Sequence, residues 1–76
     1  MNSQEPFELT VGDVAQADEA RHEVRIDPGS VRHYAELGLL DFRRLSNGTR
    51  LFRLSARAEA RRIREQRLAN RGRKAA

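Results

Sequence analysis

The run from Asp27 to Gly38 is bracketed as a helix at both ends, and a basic hairpin tipped by glycine follows it within a few residues. That pairing constrains the fold more than any other feature of the chain. Asp27 suits an N-cap, Pro28 suits the first helical position, where its missing N–H is no loss, and Gly38 suits a left-handed stop. Between these ends Val31, Tyr34, Ala35 and Gly38 fall on one side at helical spacing, and Gly29, Arg32, His33 and Glu36 fall on the other. The first set is expected to pack inward, with Ile26 as a staple-like contact before the cap, and the second is expected to face a partner. Leu39, Leu40 and Phe42 should then bring the chain back across the core. Arg43 to Leu45 are expected to pair with Arg50 to Arg53 around Ser46-Asn47-Gly48-Thr49, because Asn-Gly accepts the positive φ of a tight hairpin. Leu45, Leu51 and Phe52 are the expected anchors of these strands. Arg43, Arg44, Arg50 and Arg53 crowd the hairpin, and such like charges repel unless an anion lies across them.

At 76 residues the chain suits one small domain, which buries about 60% of its unfolded surface on folding. Residues 1 to 9 read as a flexible leader from which Phe7 and Leu9 dock, and residues 10 to 54 as the domain proper. A basic C-terminal helix over 55 to 71 and a frayed tail over 72 to 76 complete the plan. Thr10-Val11-Gly12-Asp13 has the spacing of a capping box, so a first helix is expected from Val11 to about Ala20, with Val14, Ala15 and Ala17 inward. No breaker marks its end, and residues 16 to 25 either extend it or form a loop. Ser55 is expected to cap a third helix that runs to about Asn70, stopped by Gly72. Its apolar stripe is thin, with only Ile63 and Leu68 large, while Arg57, Arg61, Arg64, Arg67 and Arg71 recur at roughly helical spacing. Three readings of this helix stay open: a solvated stabilising helix, a phosphate-tracking arm, or a short dimerisation helix. Heptads are not sustained, which argues against a long coiled coil.

Charge is divided unevenly along the chain. Residues 1 to 38 hold three arginines against eight acids, a net of −5, whereas residues 39 to 76 hold eleven arginines and one lysine against three acids, a net of +9. Arginine in such excess suits phosphate, since guanidinium offers a planar fork to paired oxygens. Catalysis is not expected: serines, two histidines and acids are present, but no spacing presents a nucleophile and so short a chain scarcely encloses a pocket. A metal site is equally unsupported, with no cysteine and two histidines eleven residues apart. No cofactor is expected. Without cysteine, without a basic segment leading into an apolar run, and without a long aliphatic stretch, the chain is expected in the cytoplasm, with no signal peptide and no membrane partner.

A resemblance extends this reading. Ile26-Asp27-Pro28-Gly29-Ser30-Val31-Arg32-His33-Tyr34 followed by Leu37-Gly38-Leu39-Leu40 resembles the second helix of the MerR-type regulators. Arg44 followed by Gly48, Arg50 and Phe52 is similar to the wing of that family, and the likeness covers about residues 10 to 55. It implies a mainly α fold with a small β-hairpin, a winged helix-turn-helix, in which Arg32, His33 and Tyr34 are recognition-helix contacts and Arg44, Thr49 and Arg50 are wing contacts. Thr49 stands where the family usually has Tyr, and His33 replaces the first Tyr of a pair. The stretch Gln16 to Arg25 is longer than the family's turn, and the long dimer helix, effector domain and metal-sensing cysteines have no counterpart. The chain thus resembles the small stand-alone members and the related phage excisionases.

The residues and the resemblance together lead to a sequence-specific double-stranded DNA-binding protein, a bacterial or phage transcriptional regulator. Two alternatives stand beside it: an excisionase-like architectural factor for recombination, and a protein-interaction module on the same fold without DNA binding. The expected DNA contacts are Arg32, His33, Tyr34, Arg43, Arg44, Asn47, Gly48, Thr49 and Arg50, with Arg32 the base reader, since arginine bidentate to guanine is the commonest specific contact. RNA polymerase, a recombinase and further copies of the chain on DNA are the protein partners that such a role suggests.

Overall fold

The fold opens on a capping box. In the computed structural model, which describes residues 6 to 72, Thr10 Oγ1 accepts from the Asp13 N–H at 3.2 Å and the Asp13 carboxylate accepts from the Thr10 N–H at 3.0 Å. Two of the helix's orphan donors are thereby satisfied, and α1 (Val11–Ala15) begins. It is far shorter than the expected Val11 to Ala20. Gln16 is already extended, a 3-10 turn covers Glu19–Arg21, and His22 takes a left-handed φ of 58°. The loop closes on itself: Asp18 caps the turn through Ala20 N–H, and Asp18 and Glu23 exchange backbone hydrogen bonds at 2.8 and 2.9 Å. Ala17, expected inward, is consequently exposed, while Val14 and Ala15 are buried.

The second helix, α2 (Pro28–Glu36), forms where both of its ends are specified. Pro28 occupies the first turn and Gly38, at φ +79°, follows the last. Asp27 holds the N-cap position through its backbone alone: its carbonyl accepts from Ser30 and Val31, and its carboxylate makes no capping bond. Val31, Tyr34 and Ala35 are buried, and Arg32, His33 and Glu36 are exposed, as the periodicity requires. Gly38, placed on the inward side by spacing, is exposed because it lies past the helix end. Ile26 is buried and ties the loop to α1 through its N–H to the Ala15 carbonyl at 2.9 Å.

Strands β1 (Phe42–Arg44) and β2 (Arg50–Phe52) pair antiparallel, with Phe42 opposite Phe52, Arg43 opposite Leu51 and Arg44 opposite Arg50. The first strand starts one residue earlier than expected and the turn is longer. Gly48 N–H donates to the Leu45 carbonyl, Leu45 N–H donates to the Thr49 carbonyl, and Thr49 N–H is held by Asn47 Oδ1 at 2.9 Å. Gly48 alone takes positive φ, at +92°. The hairpin is therefore a three-residue loop ending on a left-handed glycine, rather than a two-residue turn with both residues at positive φ. Leu45, expected as an anchor, is 42% exposed as a result.

The chain before α1 is partly strand-like. Leu9 bridges Phe52, with backbone bonds of 2.9 and 2.7 Å in both directions, so a third short edge lies along β2. A final helix, α3 (Ala56–Gly72), follows Ser55, whose carbonyl accepts from Glu59 N–H. It extends two residues past the expected Asn70. Phe52, Leu40, Val14 and Val31 are the largest fully buried side chains, joined by Ala56 and Ala60 of α3, with Leu9, Val11, Phe42 and Ile63 packed around them. Leu39 and Leu68 stay exposed, so of the two large apolar residues on α3 only Ile63 reaches the core. The fold is mainly helical with one antiparallel hairpin. The expectations for residues 1 to 5 and 73 to 76 lie outside the described residues.

Candidate nucleic-acid interface

A helix buried on one side and bare on the other leaves a ridge, and on α2 that ridge carries Gly29, Arg32, His33 and Glu36. Arg32 and His33 are exposed, and no ion pair or hydrogen bond among the described residues occupies either side chain. Tyr34 is different. It is only 5% exposed and belongs to the core, its ring covered by the Arg67 guanidinium at 5.8 Å. Helical periodicity places it inward, and so does the structure.

The hairpin sorts its four arginines by strand and face. Arg50 reaches back to α2, where its Nη2 lies 3.4 Å from Glu36 Oε2, and its side chain is 16% exposed. Arg53 pairs with Asp41 at 3.2 Å. Two rings separate the charges further: Phe42 lies under Arg50 at 5.3 Å and Arg44 at 5.8 Å, and Phe7 under Arg53 at 4.4 Å and Arg43 at 6.0 Å. A cation over a ring face is attracted by the quadrupole, worth about 0.5 to 1 kcal/mol at an exposed site. The crowding expected to call for a bridging anion is relieved inside the molecule by two carboxylates and two phenyl rings. Arg43 and Arg44 remain exposed on β1, next to the exposed loop tip of Asn47, Gly48 and Thr49. Arg50, by contrast, acts as a strut between hairpin and helix.

Two arginines of α3 have a role that local sequence does not announce. The end of a helix leaves four carbonyls without intrahelical partners. In α1 these are Asp13, Val14, Ala15 and Gln16, and guanidiniums from α3 take them up. Arg57 donates to the Asp13 and Gln16 carbonyls, the latter at 2.8 Å, and its Nε donates to Glu23 Oε1 at 2.5 Å. Arg61 donates to Val14, Ala15 and Gln16, and to the Val24 carbonyl at 2.6 Å. The Arg57 and Glu23 side chains are 10% and 9% exposed, a nearly buried pair. Burial pulls the Arg61 guanidinium below its ordinary value, with Glu23 acting the other way and Arg57 adding to it. Arginine remains a cation through this. The signal that points to such a clamp is negative: α1 has neither a glycine stop nor a basic residue in its last turn.

The arrangement offers cations and hydrogen-bond donors around a bare helix. Among the described residues no cluster of three or more metal-ligating side chains occurs, and no helix is long and apolar enough to cross a membrane. No protein-family model, no curated protein and no solved structure matches this chain.

Proposed function

We propose that this protein is a winged helix-turn-helix that binds double-stranded DNA at specific sequences and acts as a transcriptional regulator. The observation that carries the reading is the ridge of α2: a helix of nine residues with Arg32 and His33 uncovered and unpaired, braced at its end by the Arg50–Glu36 contact to a hairpin whose Arg43 and Arg44 face solvent. A helix with its side chains is about 10 to 12 Å across, which matches a B-DNA major groove of about 12 Å. Seated there, Arg32 reaches base edges, His33 is a further donor, and the hairpin is the wing, with Arg43 and Arg44 on phosphate and the tip of Asn47, Gly48 and Thr49 near the sugar-phosphate chain. Arg50 positions the wing and Tyr34 supports the ridge from beneath. Glu36 sets the register of the wing on the helix.

Selection of bound fragments from a random duplex library, followed by titration of the winner at two salt concentrations, tests this. An enriched motif is expected, with affinity that falls steeply as salt rises because each phosphate contact releases counterions. Arg32→Ala should cost about 1 to 3 kcal/mol on the selected site and relax one base position. Absence of enrichment together with absence of binding at low salt refutes the reading.

A further inference from the structure

The inward side of α3 changes character halfway along. At about 100° per residue, Ala56, Ala60, Arg64, Arg67 and Arg71 fall within about 80° of one another. The first two are buried in the core. The last three continue the same stripe beyond it, all exposed. Had another apolar element been meant to cover this stretch, leucine or isoleucine would continue the stripe, as Ile63 does where α3 still touches the core. Guanidiniums stand there instead. Together with Leu68 they line a cleft of about 350 Å³ whose other wall is α2, with Ser30, His33 and Tyr34. No carboxylate lines it among the described residues, and Arg64 and Arg71 make no ion pair or hydrogen bond there. The cleft between α3 and the loop after α2 is unlike it, since Asp41 and Glu59 accompany Arg62 in that lining.

The position of this cleft relative to the α2 ridge identifies what it takes. Glu36 lies on the flank of α2 that meets the hairpin, through Arg50. Ser30, about 120° round the helix from Glu36, faces α3, and His33 lies between the two. A helix that fills a major groove has one phosphate strand on each side of it. With α2 in the groove, the hairpin's Arg43 and Arg44 would face one strand and the cleft the other. We propose that Arg64, Arg67 and Arg71 of α3, with Ser30 and His33 of α2, form a second binding site for the DNA backbone, which grips the strand opposite the one held by the hairpin. This rests on α2 being the groove helix. Arg67, resting on the Tyr34 ring at 5.8 Å, is the fixed member of the set, and Arg64 and Arg71 are the ones free to reorient toward phosphate oxygens.

The test uses the full chain and a duplex of random sequence, with affinity measured by fluorescence anisotropy across a salt series. Three variants each remove positive charge without touching the core: Arg64→Gln with Arg71→Gln, Arg43→Gln with Arg44→Gln, and Arg62→Gln. The slope of log affinity against log salt is expected to fall by about 0.9 for each phosphate that the protein no longer neutralises, so both double variants should lower it by nearly twice that amount. Arg62→Gln, on the far side of α3, should leave it unchanged, and thermal melting should show all three folded. If the hairpin pair lowers the slope and the α3 pair does not, the second site is wrong while DNA binding stands. An equal loss per charge for Arg62→Gln also overturns it, because the effect is then net charge alone. A wild-type chain that binds no duplex at low salt overturns both this site and the proposed function.

Discussion

The two halves of α3 are built from the same residue in the same helix, and they do opposite things. In the first half Arg57 and Arg61 turn onto α1 and commit their donors to backbone carbonyls and to Glu23. In the second half Arg64 and Arg71 have no such partner among the described residues. The difference is where the helix crosses the rest of the molecule. Up to Ile63 the helix lies against a short helix whose C-terminal carbonyls point at it, and a planar fork with five N–H donors satisfies several of them at once. Beyond Ile63 nothing in the described structure offers these two an acceptor. Net charge therefore says little about how much cationic surface this protein presents, since part of its arginine excess serves as internal scaffolding.

Removing the head of the first half is the harshest way to test that division. Arg57→Met keeps the apolar stem but strands the Glu23 carboxylate and uncaps the Asp13 carbonyl of α1, while the Gln16 carbonyl keeps Arg61. Breaking a buried pair by deleting one partner costs about 3 to 5 kcal/mol. That is a large share of the stability of so small a domain, for which roughly 0.05 to 0.15 kcal/mol per residue is usual. Urea unfolding should show the midpoint collapse toward zero denaturant. A loss under about 1 kcal/mol would mean the clamp is ornamental and the two halves of α3 are alike.

How much of this was readable from residues alone differs between the same regions. The start and end of α2 were legible because Pro28 and Gly38 impose backbone geometry by themselves, whatever surrounds them. The hairpin was legible in place but not in detail, since Asn47 uses its side chain to hold Thr49 and leaves the left-handed position to Gly48. The end of α1 was not legible at all. No local residue stops it, and the groups that stabilise its early termination come from more than forty positions away. For the same reason the contact of Arg50 with Glu36 was not legible: its partner is fourteen residues distant and is recognised only once the hairpin is folded against α2.

Arg61→Met should cost less than Arg57→Met, about 1 to 3 kcal/mol. Arg61 has no carboxylate to strand, and its acceptors are shared. The Gln16 carbonyl keeps Arg57, and the Ala15 carbonyl keeps the Ile26 N–H. The loss is confined to the Val14 and Val24 carbonyls; Val24 is exposed, so water replaces the guanidinium there, and the buried Val14 acceptor left unsatisfied costs about 1 to 3 kcal/mol. Hydrogen exchange sharpens the point. The amides of the 16 to 25 loop should exchange faster in this variant while those of α2 remain protected. Uniform loss of protection across the molecule would place Arg61 in the global core instead of at one joint.

The smallest expected effect comes from the projecting half, and it is informative because it is small. Arg71→Met removes a charge from the exposed last turn of α3, where it supports the helix only through its favourable end of the macrodipole. Surface substitutions of this kind usually stay within about 0.5 kcal/mol. A small domain shifts its melting temperature by about 4 to 8 °C per kcal/mol, so the change should be no more than a few degrees. A near-zero result, set beside a reduced salt dependence of duplex binding, separates surface from scaffold within one helix. A loss comparable to that of Arg61→Met would mean that Arg71 already has an internal partner, and the boundary between the two halves would move to the C-terminal end of α3.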